Sequence, residues 1–282
     1  MNPFPGLTND SDSAPHPTPT PADVDRTAGA AREVVLKVAD MLDGLETTDI
    51  PVPRSEWTVG EQGAHIAFAN IGFGMFAMGL EYPHGDGTQQ GLAEANDIAL
   101  IGFPERDGTA LAEHLRMGIE NFQRAVDAGS IHQECPSPLG TMPLSTLTSY
   151  FLIHNLMHGC AIASGLVEDF PFRASHLEMI WPLVIHAFPS FVNPSASQGV
   201  SGSAQMVVGD FQAVFRMENG ELAVLPGDTA PVDCVVEAEP THFFLTLVKI
   251  LTVPETIELG HMKVSGANPG LFARIMNALD IP

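Results

Sequence analysis

His154 and His158 lie four residues apart in the stretch Thr148 to Leu166, TSYFLIHNLMHGCAIASGL. On a helix that spacing puts both rings on one face about one turn apart, as two ligands of a single metal ion require. The apolar residues around them, including Phe151, Leu152, Ile153, Leu156 and Ile162, wrap most of the helix. The pair is therefore expected inside a helical bundle. Spacing alone does not specify a metal, because a chain with 11 histidines shows on the order of one such pair by chance. The apolar setting adds weight, since burying unpaired imidazoles is costly unless something accepts their lone pairs. A metal and a pair of core histidines both stay open at this point.

The elements that must hold this helix can be read outward from it. At 282 residues the chain exceeds what one core usually holds, so two domains after a tail are expected. Residues 1–21, ending in HPTPTP, have the composition of a disordered tail. Val34, Val35, Val38, Met41 and Leu42 recur at helical spacing in a first helix opened by Pro21, Ala22 and Asp23. After Trp57, Thr58 with Glu61 forms a capping box for a second helix that carries His65. Gly72, Gly74 and Gly79 in that helix must serve close packing or leave room for a ligand. His65 taken by itself reads more readily as a core histidine than as a ligand.

Residues 83–91 read as a loop, followed by a long helix from about Leu92 to Ala128 that Gly102–Pro104 could interrupt. Residues 129–143 read as a connection, and a further apolar helix covers about Leu177 to Ala187. His84, His114, His132 and Cys135 show no spacing that a metal would select and read as surface or loop residues; His176 and His186 are treated the same way. The helical region thus covers 22–190. Alternating strands, the turn Glu218–Asn219–Gly220, the helix THFFLTLVKIL, the strand ELGHMKVSG and a closing helix with Asn268 as N-cap then make a small α+β domain over 195–282.

Composition limits the function classes. Apolar residues are 45% of the chain and charged ones 16%, the profile of a globular protein. The net charge of −22 and the lack of any Lys or Arg cluster argue against nucleic acid and anionic membrane surfaces as partners and leave a small-molecule substrate. Cys135, Cys160 and Cys234 are isolated and odd in number, which fits a reducing cytoplasm; no signal-peptide pattern or membrane-length apolar stretch is present.

SEWTVGEQGAHIA and HNLMHGCAIASGL together resemble the DinB-like metal-binding four-helix bundle, and more specifically the N-terminal domain of mycothiol-dependent maleylpyruvate isomerases. VDCVVEAEPTHFFLTL and IELGHMKVSGANPGLFARIMNAL resemble a sterol-carrier-protein-2-like (SCP2-like) domain. The resemblance implies a multidomain chain, an all-α DinB-like bundle followed by a small SCP2-like α+β domain. It implies three metal ligands, His65, His154 and His158, and use of mycothiol. The chain departs from those isomerases at His154, where they have Glu, and at Ala161, where they have Asp. A small dicarboxylate would also call for cationic clamps, and the second domain has only Arg216, Lys249, Lys263 and Arg274.

Three neutral imidazoles leave a divalent ion its full charge and an open position, the arrangement of a catalytic site. Zinc is expected first, with nickel, copper or iron acceptable to the same ligands. A thiol or water bound there would lose its proton near neutral pH, which allows a thiol-dependent isomerase or transferase, or a tailoring enzyme that uses no thiol. A non-catalytic lipid- or small-molecule-binding protein is the reading from a different class. Glu61 and Tyr150 each sit one turn before a ligand and are candidate catalytic or ring-orienting residues, with helix capping and core packing as their alternatives. Phe68, Phe73, Met75, Phe76, Met78 and Met157 are candidate lining for an apolar substrate, in a cleft expected between the two domains.

Overall fold

A computed structural model describes residues 19–85, 88–170, 172–227 and 231–281. Most of the expected tail, residues 1–18, lies outside the described residues. Helix α1 (Pro21–Leu42) starts inside the span assigned to that tail, where Thr20 and Asp23 form a capping box and Pro21 takes a first-turn position that needs no N–H donor. Its buried face runs through Val24, Ala28, Ala31, Val35, Val38 and Leu42 at helical spacing.

Helix α2 (Val59–Ala77) is capped by Thr58 and Glu61 as expected. The expected helix 92–128 is two helices, α3 (Gln89–Gly102) and α4 (Gly108–Ala128), because Pro104 cannot continue the first and Asp107 caps the second. The connection after α4 holds a short ladder of β1 (Glu134–Cys135) and β2 (Met142–Pro143). Helix α5 (Leu144–Leu166) carries His154 and His158 and is buried on most sides. Helices α1, α4, α2 and α5 close a ring in which each packs on the next, a four-helix bundle.

Helix α6 (Ala174–Ala187) packs on α5 and runs through a single 3-10 turn, Phe188–Phe191, toward a five-stranded sheet. The strands are β3 (Gly202–Val208), β4 (Phe211–Glu218), β5 (Glu221–Pro226), β6 (Cys234–Ala238) and β7 (Met262–Gly266), in the order β5-β4-β3-β6-β7. Only the β3–β6 pair is parallel. The β4–β5 hairpin turns on Asn219 and Gly220, both at positive φ, as the sequence predicts. Helices α7 (Pro240–Leu247), α8 (Val253–Glu258) and α9 (Leu271–Asn277) complete the chain.

Three local expectations change. THFFLTLVKIL is helical only to Leu247; Glu258 belongs to α8, so the following strand starts at Met262 and not at the start of ELGHMKVSG. Asn268 is not the N-cap of the last helix: Gly270 is, while the Asn268 carbonyl accepts from Leu271 and its side chain accepts from Arg274. Trp181 of α6 lies edge-on to Phe211 and parallel to Phe215, so α6 joins bundle to sheet. Buried residues of the helices and of the sheet belong to one continuous core.

Candidate metal centre

The three histidines meet. His65 on α2 and His154 on α5 face each other with their Nε2 atoms 3.1 Å apart. The His158 ring lies 4.5 Å from that of His65 and 4.6 Å from that of His154, and one nitrogen from each ring lies within 4.8 Å of the others. Zinc–nitrogen bonds of about 2.0–2.1 Å in a tetrahedral site separate two ligand nitrogens by about 3.3 Å, close to the His65–His154 spacing. Burial pulls the His65 imidazole down to about 4; burial, with repulsion from the neighbouring rings, holds His154 and His158 well below the ordinary imidazole value. All three are therefore neutral at pH 7, the state in which imidazole binds a metal.

Hydrogen bonding fixes one of the rings. Gln62 Oε1 lies 2.7 Å from His158 Nδ1, and Gln62 Nε2 donates to Ser55 Oγ at 3.2 Å. With its amide turned this way Gln62 accepts from His158, so Nδ1 carries the proton and Nε2 keeps a free lone pair. The Nδ1 atoms of His65 and His154 are buried without a hydrogen-bond partner. Without an ion, one of the facing Nε2 atoms must donate to the other, which still strands both Nδ1 atoms. The donor set of three neutral imidazoles with facing nitrogens fits a divalent ion. Trp57 closes one side, its ring 5.0 Å from His65 and 6.4 Å from His158.

The other side is a cavity of about 190 Å³ bounded by His65, His154, His158, Phe68, Phe73, Phe76, Tyr82, His84, Tyr150, Met157 and residues of α3. Every described lining residue lies in the helical region or the loops of that region, which corrects the expected cleft between bundle and sheet. Of the residues expected to line it, Phe68, Phe73, Phe76 and Met157 do; Met75 and Met78 face a separate groove beside α4. Gly72 makes the wall possible, because a Cβ there would sit 2.8 Å from Cδ1 of Tyr82.

Neither expected ring-orienting residue acts as such. The Glu61 carboxylate accepts from the Thr58 amide and hydroxyl, so it caps α2 and leaves His65 Nδ1 without a partner. Tyr150 lies edge-on to Phe73 in the cavity wall and does not bond His154 Nδ1; burial keeps its phenol protonated. Gln62 takes the orienting role, and the signal for it was a Gln in the first turn of an otherwise apolar helix, three residues before a histidine. His84, read as a loop residue, packs against Phe76 and lines the cavity with its Nδ1 buried and unpartnered. No sequence spacing points to it.

The topology is not peculiar to this chain. The fold resembles that of a mycothiol-dependent maleylpyruvate isomerase. Superposition on that structure, and equally on a single-site mutant of it, covers 88% of this chain and 96% of the other, with a TM-score of 0.53 and 14% identity. A sterol carrier protein 2-like structure from Aedes aegypti matches 32% of this chain and 84% of its own at 21% identity, with a TM-score of 0.26. No protein-family model and no curated protein sequence matches the chain. Among the described residues no helix is long and apolar enough to cross a membrane.

A second group, Glu239, His242 and His261, also brings ligand-type atoms within 4.8 Å of one another. Its rings stack 3.6 Å apart at 13°, so their in-plane lone pairs lie in parallel planes and do not converge. Glu239 caps α7 by accepting from the His242 amide and also bonds His242 Nδ1. This group is a helix cap with a stacked pair.

Proposed function

We propose that the chain is a metal-dependent isomerase or transferase acting on an electrophilic small molecule with a low-molecular-weight thiol, mycothiol being the thiol named for the similar structure. The observation that carries this reading is the convergence of three neutral imidazoles, His65 buried and His154 and His158 partly so, on the wall of an apolar cavity. A divalent ion held by His65, His154 and His158, with zinc ahead of nickel, copper or iron, supplies Lewis-acid chemistry, lowering the pKa of a thiol or water at its open position.

The chain's own residues set the conditions for that chemistry. Gln62 keeps the proton on His158 Nδ1 and so presents Nε2. Neutral ligands add no negative charge to offset that of the ion. The aromatic walls limit water, which strengthens every electrostatic interaction inside. The thiol comes from outside, because none of Cys135, Cys160 and Cys234 is among the described cavity residues, and burial raises all three thiols. No Asp or Glu is among the described cavity residues to take a proton from water. A free thiol, with a pKa of about 8.5, needs far less help.

Elemental analysis of the untagged chain beside His65→Ala tests the reading. Near-stoichiometric metal that disappears in the variant supports it, and assays with and without added thiol then separate the thiol-dependent enzyme from one that uses none. No metal in either sample, and none taken up on titration, returns the chain to a non-catalytic small-molecule-binding protein.

A further inference from the structure

The cavity beside the histidines differs from a site for an acid in one respect that both sequence and structure record. Residues 55–105 and 125–172 contain neither Lys nor Arg, and every described residue lining the cavity falls within those two spans. No carboxylate lines it either, among the described residues. The nearby cations in sequence are engaged elsewhere: Arg54 pairs with Glu255, and Arg106 donates to the carbonyls of Leu100, Phe103 and Glu105. With a net charge of −22, an anion entering this space meets an unfavourable field and finds no Lys or Arg to neutralise it.

What the walls do provide is aromatic surface. Phe68, Phe73, Phe76, Tyr82 and Tyr150 are packed edge-on or tilted against one another, with Phe73 also 5.4 Å from the His154 ring and Met157 in the same wall. Polar atoms in the lining come from Asn96 and from His84, whose Nδ1 is buried without a partner, and both can bond an uncharged substituent. Size sets a limit too. A cavity of about 150 Å³ accepts benzene, and this one measures about 190 Å³.

The geometry points to an uncharged, single-ring aromatic or similarly flat unsaturated molecule with a short polar substituent as the substrate class. This deepens the metal-dependent reading given above and places the ring against the Phe–Tyr wall, with its substituent toward His84 and Asn96.

Calorimetric titration of the full-length chain, as purified and again after chelator dialysis, with benzyl alcohol and with benzoate tests it. The two probes share a ring and differ in one charge. Benzyl alcohol is expected to bind about tenfold or more tightly than benzoate in the dialysed chain, and Ala69→Arg or Met157→Arg, each checked for native circular dichroism, is expected to reverse the order. Equal or tighter binding of benzoate by the dialysed parent chain, or no binding of either probe, would overturn the assignment. The metal reading is judged separately by elemental analysis, so a chain that binds no ion yet prefers benzyl alcohol would sink that reading and keep this one.

Discussion

Asn70 on α2 and Asn155 on α5 exchange two hydrogen bonds, 3.2 Å one way and 3.1 Å the other, with both side chains fully buried. Asn155 also donates to the carbonyl of Phe151 at 2.8 Å. Because Asn155 is the neighbour of His154 and Asn70 lies just over one turn beyond His65, the pair fixes the register in which the two imidazoles face each other. Asn155→Ala should cost about 1–3 kcal/mol by stranding the Asn70 amide, read as a fall in urea midpoint. The double change to Leu should recover much of that stability, since it leaves no polar group unpaired.

Gln62 should matter to metal retention. Losing the group that orients a ligand imidazole typically lowers metal affinity about 10–100-fold, and Gln62→Ala should fall in that range when competed against a chromophoric chelator. Glu61→Gln should leave affinity unchanged, because its side chain caps α2 and touches no ligand.

Metal release should occur at unusually low pH. A free imidazole protonates near 6.5, whereas His65 is held neutral down to about 4 and its two partners are also shifted downward. Ligation should therefore persist through pH 6 and fail only toward pH 4, as followed by ion release during acid titration.

Acid should also weaken the fold through His176. Its buried Nδ1 accepts from the Arg173 amide, and burial holds its pKa at about 4 against 6.5 for an ordinary imidazole. The unfolded chain then takes up the proton first. Stability from this group is complete above about 6.5 and is lost as pH falls toward 4. His176→Gln should flatten part of that acid limb in urea midpoints measured against pH.

Two glycines two residues apart, on opposite faces of α2, should respond in opposite ways. Gly72→Ala forces a Cβ to within 2.8 Å of the Tyr82 ring and should cost about 1–3 kcal/mol while displacing the cavity wall. Gly74→Ala meets nothing nearer than 4.0 Å and should gain about 0.5–1 kcal/mol of helix stability. Thermal melts of the two variants check both signs.

The bundle helices, the Thr58–Glu61 box, the Asn219–Gly220 turn and the shared face of His154 and His158 were all legible in the sequence. Each depends on residues within one or two turns of one another, so local periodicity and capping chemistry determine them. The break between α3 and α4 was signalled by Pro104, but the start of α9 was not, because Gly270 and Asn268 both suit a helix entry and only the turn geometry selects between them.

The site itself was only half legible. His65 meets His154 across 89 residues, Gln62 meets His158 across 96, and His84 reaches the cavity from a loop. None of these pairings has a local period to announce it. They follow from the register in which α2 packs on α5 and from the space that Gly72 leaves for Tyr82. The sequence alone therefore determined which residue types were available, which helix faces they share and, through the resemblance of two motifs, the expected set of His65, His154 and His158. Tertiary packing decided how these meet and that Gln62 and His84 join them, because contacts between distant segments depend on how whole helix surfaces fit together.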